Sequence, residues 1–300
     1  MVFDGVLAHI ASSRQGEFNH RYAQPSLTHP IGFSNRPPFG TTSLLARQRA
    51  MGGVPKLMLT NTAWEYWRGD GALVHVDPVT GDDLPDDADA RAYLLAGHDH
   101  LGAMPMKDAM PGANAVHRLD PTPVLRALFG ALVRWAVNGI EPPPSAVPRT
   151  SDGTAVTREH VLARFLHAAR PDPAMLNVTR EIDLGPDAEG GVGRWPLHLG
   201  NAFVGLVSDV DDDGNEVAGI RVPAVAAPLA AYTGWNPRRP VDGLPDVLYE
   251  FLGSRLEISP KYADAGARHA AARAAADALV ADGFLLPDDV ELTIAPDVSA

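Results

Sequence analysis

KLMLTNTAWEYWRGDGALVHVDP, residues 56–78, is followed after a Gly/Asp turn by ARAYLLAGHDHLG, residues 90–102. Each phrase carries a short apolar run, Leu57 to Thr60 and Ala92 to Ala96, of the length and composition of a strand buried on both faces of a sheet. Both runs stop abruptly at polar, titratable groups: Glu65 and Asp70 after the first, and Gly97, His98, Asp99 and His100 after the second. In open α/β sheets, ligands and catalytic groups gather at the ends of parallel strands, so a carboxylate and a His there form a candidate acid–base pair. No nucleophile is obvious beside them.

The phrases FDGVLAHIASSRQGEFNHRYAQPS, TNTAWEYWRGDGALVH, YLLAGHDH, LRALFGALVRWAVNGIEPPPS, VPAVAAPLAAYTGWN and GFLLPDD resemble a family of bacterial α/β-hydrolase domain-containing proteins. The resemblance runs from about Phe3 to about Asp289. It implies an α/β-hydrolase fold with an acid after the seventh strand and a His after the eighth. By position in the motifs, Glu65 of AWEYW is the acid and His100 of AGHDH the base, with Asp70 as the alternative acid. It further implies a serine ester or amide hydrolase acting on a small-molecule carbonyl substrate, without a cofactor.

The resemblance also implies a serine in a Gly-x-Ser-x-Gly elbow a few tens of residues before the FDG phrase. The sequence starts at Met1, directly before Val2-Phe3-Asp4-Gly5. The expectation is therefore a single domain over residues 1–300 that lacks its N-terminal part. Its fold class is α/β, an incomplete sheet of strands six to eight with helices and additional short strands. Such a chain is inactive because the elbow is missing, and the alternative is a non-catalytic binding protein on a hydrolase scaffold. Strand six, in residues 2–10, becomes an open edge that self-associates or pairs with the missing half.

No replacement nucleophile stands out. Gly32-Phe33-Ser34-Asn35-Arg36 is the nearest string to an elbow, but Pro37-Pro38 forbid the helix that must follow. Ser254, in Leu252-Gly253-Ser254-Arg255, has no preceding strand pattern, and the absence of Cys excludes a thiol. The net charge of −12 argues against nucleic acid or an anionic membrane as partner. The N-terminus lacks the basic region and apolar core of a signal peptide, leaving the cytoplasm as the default location.

Along the chain, residues 16–42 form a long polar loop, either a pocket wall or a surface excursion, and residues 43–51 a short helix ended by Gly52-Gly53. Thr122-Pro123 reads as a helix start, and VLRALFGALVRWAVNG, apolar almost all round, as a helix buried on several sides. Short strands are expected at residues 154–157, 203–207 and 217–226. Asp209-x-Asp211-x-Asp213-Gly214 resembles a calcium loop, but Ile220 stands where the bidentate Glu belongs, which favours a hairpin tip. Ser259-Pro260 reads as the cap of a last, Ala-rich helix.

His98 is given no catalytic role, and Asp99 reads as a solvated turn residue. His98-x-His100 offers half a metal site with no third ligand at a telling spacing, so no metal is assigned. Asp70 can pair with Arg68, whereas Trp64, Tyr66 and Trp67 crowd Glu65 and desolvate it. Trp195, Trp235 and Asn236 attract notice without a reason to place them at a site.

Overall fold

A computed structural model describes residues 2–13, 34–35, 40–183, 185–187, 192, 194, 196, 198–239 and 247–295. Three parallel strands lie in the order β1 (Gly5–His9), β3 (Lys56–Thr62), β4 (Ala90–Leu95); a two-residue β2 (Ser34–Asn35) belongs to another sheet. Gly5 pairs with Lys56 and His9 with Thr60, while Leu57 pairs with Ala90 and Thr62 with Leu95, which brings the carboxyl ends of all three strands together. Beyond β4, single parallel bridges from Tyr93 to Ala146 and from Leu95 to Ile220 continue the sheet. Among the described residues, β1 has a partner only on its β3 side.

Alternation along the strands supplies two buried faces. Met58, Tyr93 and Leu95 pack with Leu128, Leu132 and Trp135 of α3 (Thr122–Asn138) and with Ala272 and Ala276 of α6 (Ala265–Ala281). Leu59 and Ala92 face the other way, against Val74, Val147 and, more loosely, Leu44 of α1 (Thr41–Ala50). A second apolar cluster gathers Tyr66 and Trp67 of α2 (Ala63–Arg68), Phe165 and Trp235. Around it lie β5 (Ala155–Thr157) with β8 (Leu206–Ser208), β9 (Ala230–Thr233) with β10 (Ser254–Glu257), and β6 (Arg180–Asp183) with β7 (His198–Ala202). The short helices α4 (Arg158–Leu162), α5 (Pro223–Ala226) and α7 (Val290–Ile294) complete the set.

Several expectations need correction. Residues 217–226 contain a bridge at Ile220 and then α5, because Pro223 removes an amide and enters the first helical turn. Thr122 is not the cap of α3: Pro121 occupies that position, and the Thr122 amide donates to the Asp120 carboxylate at 2.9 Å. The last Ala-rich helix starts after Asp264 rather than Pro260, since the Asp264 carboxylate accepts the free Ala267 amide at 2.8 Å. Strand β8 begins at Leu206, three residues later than expected. Helix α3 buries one face only and leaves Phe129, Val133 and Val137 exposed. The acidic turn closes by a bridge from Val210 to Glu216, and Asp211 is paired with Arg221 at 2.6 Å. Most of the long loop, the Gly32–Arg36 string as a whole and Trp195 lie outside the described residues. Among the described residues, no helix is long and apolar enough to cross a membrane.

Candidate active site

Helix α2 begins where β3 stops. Glu65 is its third residue and reaches back to the start, its Oε2 accepting the Thr62 amide at 2.8 Å and the Thr62 hydroxyl at 2.6 Å. This capping box satisfies amides that every helix start leaves free. It also fixes the carboxylate, which is fully buried, with Oε1 turned outward from the helix.

Strand β4 ends in a turn at Gly97, where φ is 70° and an added Cβ would crowd Tyr232 and Val225. The turn sends His100 over the end of β3, and its Nδ1 lies 2.6 Å from Glu65 Oε1. Facing a carboxylate, Nδ1 carries the proton and donates it, which leaves Nε2 as the basic nitrogen. The His100 side chain keeps 22% of its surface exposed while Glu65 keeps none, so the pair has a wet end and a dry end. Trp64 meets the His100 ring edge-on at 5.4 Å, and Phe251 lies 4.5 Å away at a tilt of 31°.

Asp70 sits one step out. It holds Arg68 through two bonds of 2.7 and 2.8 Å, and the Arg68 guanidinium lies 4.8 Å above the Trp64 ring. Asp70 therefore supports the aromatic wall, while Glu65 takes the imidazole. His98 is buried, with Nδ1 donating to the Ala96 carbonyl at 2.9 Å, and its burial holds its pKa down. Among the described residues, no group of three or more His, Asp or Glu is placed to hold a metal ion.

Asp99 is not a solvated turn residue but a buried one, 2.5 Å from the ammonium of Lys107, with both side chains fully enclosed. Burial pushes its carboxyl up, against the pull of Lys107 and the amides it accepts. Ser254 is also enclosed: its hydroxyl donates to the Trp235 carbonyl at 2.7 Å and accepts from Asn114 at 3.1 Å, which excludes it as a nucleophile. Asn236 bonds the Asn114 and Gly253 carbonyls, and Trp235 packs on Trp67 and Phe165, so both are structural.

The sequence reading passes over His9. It ends β1 in the same row of strand ends, with Nδ1 2.8 Å from the Thr60 hydroxyl. Burial holds its pKa down, with Glu65 pulling it up and His100 pushing it down, so it feels both members of the pair. Its position as the last residue of an apolar strand was the available signal. Phe251 lies in an irregular turn and Lys107 in a short 3-10 turn (Pro105–Ala109), and neither gave a signal.

Among the described residues, no serine or threonine hydroxyl is hydrogen-bonded to His100. In comparisons with known proteins, a family model described as "Alpha/beta hydrolase domain" matches residues 1–295. No curated protein and no solved structure matches the chain. With a parallel sheet whose strand ends bring an acid and a His together, and with that match across nearly its whole length, the chain belongs to the alpha/beta hydrolase domain family.

Proposed function

We propose that Glu65 and His100 are the acid and base of an ester- or amide-hydrolase centre, and that a nucleophile outside the described residues completes it. The observation that carries this reading is the 2.6 Å contact between a fully buried carboxylate and a partly exposed imidazole, which leaves Nε2 to act as base. In the reaction, His100 Nε2 takes the proton from the nucleophile and returns it to the leaving group. Glu65 holds the ring in the right tautomer and stabilises the imidazolium. The described residues alone then contribute weak general-base chemistry at most, since nucleophile and oxyanion donors are both required for efficient acyl transfer. The second reading, a binding protein on this scaffold, draws on the absence of a hydroxyl bonded to His100 among the described residues.

A fluorophosphonate probe and a panel of small esters test the first reading. Every serine among the described residues is expected to stay unlabelled. Stoichiometric labelling of a serine among the described residues, such as Ser254, would overturn the statement that the nucleophile lies outside them. With a complementary segment that supplies a Gly-x-Ser-x-Gly elbow, His100→Gln and Glu65→Gln should each lower turnover by at least ~10²-fold. If both variants retain full turnover, the pair has no catalytic role.

We propose also that the outer edge of β1 is a pairing surface. Val2 and Phe3 are exposed beside it, and Phe129, Val133 and Val137 continue an apolar strip along α3. Unpaired edge strands recruit other chains. Size-exclusion chromatography with light scattering should find dimers or larger species, reverting to monomer when Val6→Lys charges the edge. A monodisperse monomer of the unsubstituted chain would refute this.

A further inference from the structure

Phe251 is one of three non-glycine residues among those described with a left-handed backbone, at φ 71°. Such a conformation is strained for an aromatic residue, and it persists only where the surroundings over-determine it. Here the surroundings are visible. Two residues on, the Gly253 amide donates to Asp99 Oδ2 at 2.9 Å, and the Gly253 carbonyl accepts from Asn236 at 3.1 Å. A Cβ on Gly253 would collide with the Thr233 carbonyl and the His117 ring, so this backbone lies flush against the core.

Asp99 is the same residue that holds the loop carrying His100. Its Oδ1 accepts the Leu101 amide at 3.2 Å and the Gly102 amide at 3.0 Å. Lys107, paired to it, donates to the Gly102 carbonyl at 2.9 Å and the His117 carbonyl at 2.6 Å. One buried ion pair therefore ties the His100 loop and the Phe251 segment to a common point. The strained turn at Phe251 then delivers its ring onto His100, 4.5 Å away, and onto Trp64, 5.0 Å away.

We infer that Phe251 is a positioning residue for His100, clamped by Gly253 and Asp99 so that its ring, with Trp64, fixes the imidazole plane and keeps Nδ1 on Glu65. This deepens the proposed function and rests on it. Phe251 does not touch Nε2's proton partner in this scheme; it acts by restricting how His100 can rotate. Rings stacked at this separation resist tilting of either partner.

The test is nuclear magnetic resonance of the protein labelled with ¹⁵N-histidine, His100 being assigned through His100→Gln. The unsubstituted protein should show a low-field Nδ1–H proton that disappears in Glu65→Gln. In Phe251→Gly, where glycine accepts the left-handed backbone without strain, the fold should persist. Exchange of that proton with water should quicken at least tenfold, and the ring should populate both tautomers. Phe251→Tyr should restore the original spectrum. Phe251→Leu, which keeps apolar bulk without a ring, decides the matter if the glycine variant does not fold. A low-field proton unchanged in the folded ringless variant would overturn the inference and leave the Glu65–His100 reading standing. Absence of the proton from the unsubstituted protein would instead defeat that reading, and the inference with it.

Discussion

Lys107→Met is expected to lower the free energy of unfolding by about 3–5 kcal/mol, because it strands a buried carboxylate without its partner. Asp99 and Lys107 are both fully enclosed and 2.5 Å apart, so water cannot replace the lost ammonium. The Gly102 and His117 carbonyls lose their donor in the same stroke, adding the cost of unsatisfied buried acceptors. A loss of this size is a large part of the roughly 5–15 kcal/mol that holds a typical domain together. Replacing both partners, as in Asp99→Asn with Lys107→Met, should recover part of it, since no charge is then left alone. Urea unfolding of the three proteins provides the comparison. A single variant within about 1 kcal/mol of the parent would show that the pair is solvated or dispensable.

The second large effect is a dependence of stability on pH set by Glu216. This carboxyl accepts the Gly97 amide at 2.8 Å, its other oxygen has no partner among the described residues, and burial pushes it up to about 8. Its ordinary value is 4.5, so in the interval between the two the folded protein keeps a proton that the unfolded chain has released. Its contribution to stability is thus fully present below the ordinary value and is lost as pH rises toward 8. The loss runs at roughly 1.4 kcal/mol per pH unit and amounts to roughly 4–5 kcal/mol once the group is ionised. Glu216→Gln keeps an acceptor for the Gly97 amide and removes the ionisation. It should stabilise the protein most near pH 9 and hardly at all near pH 5, and identical pH slopes in the two proteins would sink the argument. Buried histidines contribute on the acid side. Burial holds His75 down to about 3 and lowers His98 and His117 as well. Their depressed values give stability that is present above the ordinary 6.5 and lost as pH falls.

The parallel sheet and the pair at its end were legible in the amino-acid string. Strands buried on both faces leave continuous apolar runs, and residues 57–60 and 92–96 are such runs. A carboxylate and a His placed just past two such runs are brought together by the strand register, since Thr62 pairs with Leu95. The capping box between Thr62 and Glu65 is a contact over three residues, and such contacts are written in local spacing. Local spacing also misled: Thr122 and Ser259 carry the chemistry of caps, but Asp120 and Asp264, each better placed for the free amides, decided where those helices start. Contacts between distant segments belong to the folded chain alone. Asp99 meets Gly253 across 154 positions, and Gly97 meets Glu216 across 119. A charged residue in a turn normally stays in water, so nothing in the string around Asp99, Lys107 or Glu216 marks them as buried. Their burial, and the strained seat of Phe251 against His100, arise because the segments at 216 and 253 fold back over the strand ends, and that packing has no periodicity to betray it.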